Sequence, residues 1–404
     1  MKESFKARKI TDTVYWVGAI DWNITDFHGY ATKRGTTYNA FLILADDITL
    51  VDTVKEQFKD EMMARIASLV DPEDISVIIS NHIELDHSGS LPSVIAKVKP
   101  ERVYASKMGI KAIKGHFHDD FSITAIEDGG SVSLGNMDVS FIETRMLHWP
   151  DSMFTYLPGE GILFSQDAFG MHLASNELFA DEIDNSILEY EAAKYFANIL
   201  LPYSHLILRL LDRVAQLGID ISMIAPDHGP IWRTPDDIGK VKGWYVNWAE
   251  QKPSKRAVIV YDTMWNSTDT MARAIGEGLS DNGINVKVMS MHSSHRSDVA
   301  TEMLDAGALI VGSPTLNSNM FPTVADVMVY LRGLRPKNLI GVAFGSYGWG
   351  GEAIKQIEGI LEEMKVERVA ETVKVQYVPV EDDLNRCFEL GKQIAGKLQN
   401  LTND

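Results

Sequence analysis

The pattern of hydrophobic and polar positions changes near residue 250. Before it, short β-branched runs alternate with turn residues and with helices of differing length. One amphipathic helix is predicted over 58–70, where apolar residues recur every three or four positions until Asp71-Pro72 ends the pattern. A polar, charged stretch that carries Pro253 follows at 249–256 and is typical of a linker.

After this linker the pattern becomes regular. Strand-like runs alternate with helical patterns, and a final helix is predicted over 384–398. The predicted strands are 257–261, 284–289, 308–311 and 339–344. Such alternation predicts an α/β domain with a doubly wound parallel sheet of about 150 residues. We therefore predict two domains, 1–250 and 254–404.

Composition narrows the classes of function. The 404 residues include 45% hydrophobic and 23% charged residues, as in ordinary globular proteins. A net charge of −18 argues against a nucleic-acid partner, and no run reaches the roughly 18 apolar residues of a membrane helix. The polar N-terminus carries no signal-peptide stretch, so we expect a cytoplasmic protein. The single cysteine, Cys387, excludes an internal disulfide and any iron site built from four cysteines.

Four residues of metal-ligand types cluster directly after the β-branched run 75–80. They are His82, Glu84, Asp86 and His87, and Gly89 follows them. The run is typical of a strand buried on both faces, which places the cluster in the loop beyond its end. Either carboxylate alone would be an ordinary solvated loop residue, but the four together predict a metal site.

Three further candidates follow strand-like runs elsewhere in the first half. His148 follows 139–147, Asp167 follows 161–166, and His228 follows 221–227. Each alone would be an ordinary residue, and only the joint pattern favours ligands. Asp227 is predicted to support a ligand instead of binding metal itself. The histidines without such support are expected to be structural or surface residues: His116, His118, His172, His205, His292 and His295.

Three loops of the second half favour a mononucleotide. The first loop follows the strand that ends at Tyr261 and is rich in hydroxyl groups. A helix begins after it, near Asp269 or Thr270. Hydroxyl side chains and backbone N–H groups at the start of a helix can bind an anion without any lysine. The full phosphate-loop pattern, Gly-x-x-x-x-Gly-Lys followed by Ser or Thr, and the pattern Gly-x-Gly-x-x-Gly are both absent, which argues against a triphosphatase and a dinucleotide. The predicted cofactor contacts are Thr263, Met264, Trp265, Asn266, Ser267, Thr268, Ser313, Pro314, Thr315, Leu316, Asn317, Ser346, Tyr347, Gly348, Trp349 and Gly350.

These motifs together resemble one family over essentially the whole chain. The seven candidate ligands resemble those of the metallo-β-lactamase fold, specifically its flavodiiron branch, and the three loops resemble the FMN loops of flavodoxins. The resemblance implies an N-terminal metallo-β-lactamase-like αββα sandwich and a C-terminal flavodoxin-like doubly wound parallel sheet. It also implies FMN and two iron ions per chain.

The resemblance assigns the ligands to two irons. His82, Glu84, His148 and Asp167 belong to one, while Asp86, His87, His228 and the shared Asp167 belong to the other. Hydrolytic relatives usually carry histidine at the position of Glu84, and a carboxylate there shifts the preference from zinc towards iron or manganese. By resemblance, the loop of His28 reaches the metal pocket, where this histidine could donate a proton; an ordinary loop histidine is the alternative.

The resemblance further implies that FMN receives electrons and passes them to iron. The acceptor is dioxygen, reduced to water, or alternatively nitric oxide, reduced to nitrous oxide. The expected donor is reduced coenzyme F-420, as in methanogen members of the family, or a separate rubredoxin. A head-to-tail homodimer is expected, with a dimer of dimers as a further option. Two other classes stay open: a zinc hydrolase of the metallo-β-lactamase fold and an electron carrier whose first half is only a scaffold.

Overall fold

The computed structural model describes residues 4–403. Residues 1–3 and 404 fall within the predicted domain bounds but lie outside the described residues. Contacts divide the chain into two compact units: the first holds residues up to 27, 32–195 and 205–246, and the second holds 28–31, 196–204 and 247 onwards. The domain bounds 1–250 and 254–404 stay a prediction.

The elements up to residue 250 are mostly short strands. The strands are β1 (Arg8–Lys9), β2 (Val14–Trp16), β3 (Ala19–Asp21), β4 (Asp26–Phe27), β5 (Tyr30–Ala31), β6 (Thr36–Tyr38), β7 (Phe41–Ile43), β8 (Thr49–Val51), β9 (Val77–Ser80), β10 (Arg102–Ser106), β11 (Thr124–Ile126), β12 (Ser131–Ser133), β13 (Asp138–Glu143), β14 (Met153–Leu157), β15 (Ile162–Phe164) and β16 (Met223–Ala225). The helices are α1 (Lys59–Ile66), α2 (Leu85–Ser88), α3 (Leu91–Val98), α4 (Lys107–Phe117), α5 (Asn185–Tyr195), α6 (Ser204–Leu217) and α7 (Pro235–Glu250). Single helical turns occupy Glu56–Phe58, Pro72–Asp74, Ala180–Glu182, Phe196–Leu200 and Leu201–Tyr203.

Two sheets face each other in the first unit. One has the order β1-β2-β7-β8-β9-β10-β11 and the other β12-β13-β14-β15-β16. Their facing side chains form one core, in which Phe41 and Ile79 of the first sheet join Phe141 and Phe164 of the second. Alternate residues of a strand point to opposite faces, so Leu42 and Ile78 lie on the outer face of the first sheet.

Helices cover the outer face of each sheet. Against the first sheet pack α1, α3 and α4, through residues such as Met62, Val94 and Ile113. Beside the second sheet, α6 and α7 line a cavity with Leu163 and other strand residues. The layers are therefore helix, sheet, sheet and helix, which confirms the predicted αββα sandwich.

The parallel strand pairs determine where the chemistry collects. β8, β9, β10 and β11 run parallel to one another, and so do β15 and β16. The carboxyl ends of parallel neighbours meet at one edge of their sheet. The residues that follow β9 lie beyond the edge of the first sheet, and those that follow β15 and β16 lie beyond one edge of the second.

Local structure departs from the sequence-based expectations at two places. The helix predicted over 58–70 is shorter, because a separate helical turn at Glu56–Phe58 precedes α1. The metal-ligand cluster was predicted to lie in a loop, but Leu85–Ser88 forms the helical turn α2. Four residues are too few for a periodic hydrophobic signal, so the pattern did not reveal α2.

The second unit has the regular architecture that was predicted for it. Its strands are β17 (Arg256–Tyr261), β18 (Asn285–Ser290), β19 (Ala308–Gly312), β20 (Thr315–Leu316), β21 (Asn319–Met320), β22 (Ile340–Tyr347), β23 (Glu367–Arg368) and β24 (Val373–Gln376). Its helices are α8 (Ser267–Ser280), α9 (Arg296–Met303), α10 (Pro322–Leu334), α11 (Glu352–Glu363) and α12 (Glu381–Asn403). The parallel sheet has the order β18-β17-β19-β22-β23, with β24 also paired to β22.

Helices cover both faces of this sheet. On one face, α8 and α12 pack over Ile259, Ile310 and Phe344. Residues of the other face, such as Val260 and Leu309, are also fully buried. The doubly wound parallel sheet is therefore confirmed. The first helix begins at Ser267, two or three residues before its predicted start, so hydroxyl side chains occupy its first turn. Within residues 4–403, no helix is long and apolar enough to cross a membrane.

Candidate metal centre and flavin site

The cluster after β9 is anchored by a buried hydrogen-bond pair. The backbone N–H of Asn81 donates to Asp52 Oδ1 at 2.7 Å, and the Asn81 side chain donates to Oδ2 at 2.8 Å. The chain then enters α2, with Glu84 at the N-cap and Asp86 and His87 within the turn. Asp52 thus holds the cluster at the end of its strand.

The other candidate ligands also follow the strands that were expected to carry them. His148 follows β13 after a short turn, Asp167 lies three residues beyond β15, and His228 lies three residues beyond β16. The structure brings all seven predicted ligands together as two groups of polar atoms. One is His82, Glu84, His148 and Asp167, and the other is Asp86, His87 and His228.

The first group gathers two imidazoles around two carboxylates. Nε2 of His148 lies 3.2 Å from Oε2 of Glu84 and 2.9 Å from Oδ2 of Asp167. Nε2 of His82 lies 3.5 Å from the same Glu84 oxygen and 3.4 Å from the same Asp167 oxygen. Four ligand atoms therefore converge on one point.

The second group converges in the same way around the other oxygen of Asp167. Nε2 of His228 lies 3.1 Å from Oδ2 of Asp86, and Nε2 of His87 lies 3.4 Å from it. Oδ1 of Asp167 lies 3.1 Å from Nε2 of His87 and 3.6 Å from Nε2 of His228. Asp167 thus turns one oxygen towards each group, which is the arrangement of a carboxylate that bridges two metal ions.

Orphaned polar atoms show that these residues fit metal ions. Nε2 of His82, both ring nitrogens of His87 and both carboxylate oxygens of Asp86 are buried without a hydrogen-bond partner, as is Oδ1 of Asp167. Buried polar groups are otherwise nearly always hydrogen-bonded. Imidazole nitrogens and carboxylate oxygens are a mixed donor set that suits iron or manganese.

The electrostatics of the site indicate a surplus of negative charge. Burial lowers the pKa of His87, but Asp86, Asp167 and Asp227 outweigh it and raise that pKa to about 10. Burial raises the pKa of Asp167, but the neighbouring imidazoles hold it well below its ordinary value. The negative charge of these buried carboxylates favours protonated histidines when no metal is bound. Bound metal cations would balance the same charge.

Two ligands are oriented by partners outside the groups. Nδ1 of His82 lies 3.0 Å from Oδ2 of Asp151, which also accepts the Ile83 N–H at 2.8 Å. Nδ1 of His228 lies 2.6 Å from the carbonyl oxygen of Thr37. Such partners fix which nitrogen faces a metal. Oδ2 of Asp227 lies 3.6 Å from Nδ1 of His87, which is beyond hydrogen-bond distance, so its supporting role stays a prediction.

Sequence analysis missed a histidine beside the second group. His172 is fully buried, which excludes a surface position, and its ring centroid lies 4.7 Å from that of His228. Nδ1 of His172 lies 2.9 Å from Oγ1 of Thr36, and the Tyr195 ring lies 5.1 Å away. Burial and the neighbouring His228 keep the pKa of His172 well below its ordinary value. The position of His172 five residues after Asp167 was the one available signal.

His28 occupies a different place from the seven ligands. It is exposed, has a left-handed backbone with φ of 55°, and belongs by its contacts to the second unit. Its proposed role at the metal pocket stays a prediction.

The three predicted flavin loops meet at one edge of the parallel sheet of the second unit. They follow β17, β19 and β22, which are parallel neighbours. Oγ1 of Thr268 lies 3.1 Å from Oγ of Ser346, which joins the first loop to the third. Ser346 and Tyr347 lie within the end of β22, so the third loop begins later than predicted.

A cavity of about 480 Å³ lies between these loops. Of the predicted contacts, those that line it are Met264, Trp265, Ser267, Pro314, Thr315, Asn317, Ser346, Tyr347, Gly348, Trp349 and Gly350. Thr263, Asn266, Thr268, Ser313 and Leu316 lie in the loops without lining it. Sequence analysis missed Ser318, Glu352, Tyr377 and Val378, of which the last two follow β24 and had no motif to mark them.

The cavity fits a phosphate-bearing aromatic cofactor. No residue that lines it is basic, so backbone N–H groups and hydroxyls are the available phosphate donors, as predicted. Oγ1 of Thr315, which lines the cavity, is buried without a hydrogen-bond partner, which marks it as a donor for a bound group. Trp265 and Trp349 are 86% and 93% exposed, so they offer aromatic faces beside the cavity.

Family models and curated relatives match both halves of the chain. A model described as ODP family beta lactamase matches residues 36–229, and a flavodoxin model matches residues 259–391. A nitric oxide reductase of Moorella thermoacetica is 47% identical over 96% of this chain and 98% of its own length. A rubredoxin-oxygen oxidoreductase of Megalodesulfovibrio gigas is 43% identical over 98% of each chain. A coenzyme F420H(2) oxidase of Methanothermobacter marburgensis is 38% identical over 97% of this chain and 99% of its own.

Two solved structures match this chain over nearly its whole length. A rubredoxin oxygen:oxidoreductase from Desulfovibrio gigas superposes with a TM-score of 0.97 at 43% identity, covering 99% of this chain and all of the other. A flavodiiron protein from Giardia intestinalis has a TM-score of 0.95 at 31% identity, covering 98% of each chain.

Proposed function

Because the chain belongs to the flavodiiron protein family, we propose that it reduces dioxygen to water with electrons relayed by FMN. Four electrons and four protons convert one dioxygen molecule into two water molecules. The proposed physiological role is oxygen detoxification. The chain is thus proposed to act as an oxidoreductase with a gas as electron acceptor.

One observation carries this proposal: the two oxygens of Asp167 face two separate ligand groups. Two groups that share a carboxylate favour a two-metal centre over a mononuclear one, and the carboxylate of Glu84 hardens the first group and favours iron over zinc. Two irons held by these residues would supply one-electron chemistry for a diatomic molecule, and a bound FMN would divide the two electrons of a hydride into single electrons.

The residues of this chain would hold and orient the metals. His82, Glu84 and His148 would hold the first ion, Asp86, His87 and His228 the second, and Asp167 both. Asp151 and the Thr37 carbonyl fix the orientation of the His82 and His228 rings. Five of the seven ligands are buried, while Glu84 and His148 are partly exposed, so bulk water has only limited access to the centre.

Nitric oxide is the second candidate acceptor. The relative from Moorella thermoacetica, at 47% identity, is named a nitric oxide reductase, and this observation favours that reaction. Two nitric oxide molecules, two electrons and two protons give nitrous oxide and water. The same pair of ligand groups would serve either gas.

The proposed electron donor is reduced coenzyme F-420, with rubredoxin as the alternative. A relative at 38% identity is named for the first donor and a relative at 43% identity for the second. We further propose a head-to-tail homodimer in which the FMN of one chain serves the irons of the other. A dimer of such dimers is compatible with this arrangement.

The test is metal and flavin analysis of anaerobically purified protein, followed by gas-uptake assays. We expect two irons and one FMN per chain. Dioxygen and nitric oxide would be supplied separately, each with reduced F-420 and with reduced rubredoxin. The expected result is the fastest uptake with dioxygen and F-420. Faster uptake of nitric oxide would overturn the choice of acceptor, and faster uptake with rubredoxin the choice of donor.

Two outcomes would reject the family-level chemistry for this chain. Zinc without iron, together with ester or thioester hydrolysis, would favour the hydrolase. Flavin without metal, together with electron transfer but no gas uptake, would favour the carrier. The visible spectrum separates these cases, because FMN absorbs visible light and zinc does not.

A further inference from the structure

An apolar cavity of about 250 Å³ lies in the first unit, outside both candidate sites. Its inner wall includes Leu163 of β15 and Ile224 of β16, which are paired neighbours in the sheet. Its outer wall includes Leu210 and Val214 of α6. Of the twelve residues that line it, only Lys242 carries a charge.

The chemistry of this lining selects an apolar occupant. No lining side chain other than Lys242 can hydrogen-bond, so a polar substrate would lose its water contacts without replacement. Apolar cavities take up xenon or small hydrocarbons, and the inner wall of this one is fully buried, while Leu210 and Val214 of the outer wall are partly exposed. Apolar gases also prefer such surroundings to water.

One lining residue connects the cavity to the metal centre. Phe169 lies two residues after Asp167 and has a left-handed backbone with φ of 66°, which is uncommon for a bulky residue. Its N–H donates to the Tyr245 hydroxyl at 2.6 Å, and its carbonyl accepts from Nε1 of Trp232 at 2.9 Å. These bonds hold the Phe169 backbone in this unusual conformation.

The next residues touch the backbone of two predicted ligands. A Cβ built on Gly170 would lie 2.9 Å from the carbonyl oxygen of His228 and 3.1 Å from that of Asp167. The N–H of Met171 donates to the same His228 carbonyl at 3.3 Å. The segment that bounds the cavity is therefore packed against the chain that carries the metal ligands.

We propose that this cavity takes up the diatomic substrate gas and supplies it to the metal centre. The inference rests on the proposed function, because only an apolar substrate would use such a cavity. The occupant is dioxygen or nitric oxide, and xenon is the probe because it binds through dispersion alone and scatters X-rays strongly.

The test is xenon pressurisation of crystals of the metal- and flavin-loaded protein. We expect xenon between Leu163, Val214 and Ile224. Val214→Trp fills the space and should abolish xenon binding, while Gln216→Trp, at an exposed position of the same helix that does not line the cavity, should retain it. If Val214→Trp fails to fold, Val214→Met fills part of the space and should lower xenon occupancy.

Gas-dependence assays complete the test. Val214→Trp should raise the gas concentration that gives half the maximal rate by about threefold or more, and Gln216→Trp should not. Ordered water or a bound amphiphile instead of xenon would overturn the proposal, and so would unchanged gas dependence in Val214→Trp. Xenon occupancy is read without turnover, so a wild type that binds xenon but reduces no gas contradicts the proposed function and leaves the gas-binding cavity standing.

Discussion

At the scale of residues, Glu84 distinguishes this centre from a nitrogen-rich zinc site. Its carboxylate is the one in the first group that does not also face the second group. Replacing it by imidazole softens the group and removes one negative charge from a buried site.

We predict that Glu84→His shifts metal content from iron towards zinc and lowers gas reduction about 100-fold or more, while FMN content stays near normal. Metal analysis and anaerobic uptake assays measure both effects. Glu101→His, at an exposed position, is the control and should behave as wild type. Turnover that survives in Glu84→His would refute its assignment as a defining iron ligand.

Asp151 offers a test of indirect support at the first group. Asp151→Asn keeps an oxygen near Nδ1 of His82 but removes the charge, so metal affinity should fall about 10- to 100-fold. Competition with an iron chelator measures this affinity. Asp138→Asn, on an exposed strand position, serves as the control. Equal affinities of Asp151→Asn and wild type would contradict the supporting role.

The seven residues that the structure gathers were recognisable in the sequence because histidine is rare in this chain. Four of the seven also lie close together, and the other three follow strand-like runs. The partners that support these ligands escaped sequence analysis. Asp151, Thr36 and Thr37 reach the ligands only through tertiary packing across 69 to 192 positions. Such contacts leave no periodicity in a single sequence, so only the fold reveals them.

At the scale of elements, α8 and α12 approach each other through glycine. A Cβ on Gly391 would lie 2.2 Å from the carbonyl oxygen of Ile275, whereas a Cβ on Gly396 of the same helix would meet open space. Gly391→Ala should therefore destabilise the second unit by about 1–3 kcal/mol through overpacking. Gly396→Ala should stabilise it by about 0.5–1 kcal/mol through helix propensity.

Urea unfolding followed by FMN release measures both glycine variants. The midpoint should move to lower urea for Gly391→Ala and to higher urea for Gly396→Ala. A shift of the same sign in both would show that helix propensity, and not the contact between helices, determines the result.

An ion pair between α6 and the turn before β12 predicts a pH dependence. Nη2 of Arg213 donates to both oxygens of Asp128 at 2.7 and 2.8 Å. Burial raises the pKa of Asp128, but Arg213 and the Glu143 N–H outweigh it and lower that pKa below 3.8. The folded state thus favours the charged carboxylate, which stabilises the protein above the unfolded pKa and loses this effect as pH falls through the folded pKa.

Asp128→Asn should therefore lower stability at neutral pH by less than about 1 kcal/mol, since the pair is partly exposed. The difference from wild type should shrink as pH falls below the ordinary carboxyl pKa of about 3.9 and vanish once pH has fallen through the lower pKa of the folded state. Thermal unfolding across this range measures it, with Asp138→Asn as the control. A difference that grows on acidification would contradict the assigned direction of the pKa shift.

Hydrophobic periodicity predicted correctly whether a segment is a helix or a strand. It did not predict the residues at which these elements begin and end. The predicted strand 257–261 is β17 with one residue added, because five consecutive buried positions define it strongly. The start of α8 and the whole of α2 depend on local hydrogen bonds and caps, which periodicity does not register.

At the scale of the whole molecule, the proposed head-to-tail dimer predicts complementation between two inactive variants. Glu84→His should disable gas reduction at the metal centre of its own chain, and Ser267→Glu places a negative charge in the predicted phosphate loop and should exclude FMN. Coexpressed heterodimers would join an intact flavin half to an intact metal half of the partner chain. Recovery of about one quarter of the wild-type activity is expected, since half of the dimers contain one working pair.

Mass analysis of the same sample provides the control for dimer formation. Heterodimers without any recovered activity would show that electrons pass within one chain. A fully active, strictly monomeric protein would reject the dimer itself. The two-part organisation behind this prediction was visible in sequence because the two halves follow different hydrophobic patterns.

The long stretch of chain between the first and the last predicted ligand has a further consequence, which concerns the order of synthesis. His228 is made roughly 140 residues after Glu84, which at about 5–20 residues per second takes roughly 7–30 s. Throughout this interval, the nascent chain offers incomplete ligand sets to the metals of the cell. Zinc or copper would then meet His82, Glu84, Asp86 and His87 before their partners exist. Selective loading with iron must therefore occur after the first unit has closed around the finished set.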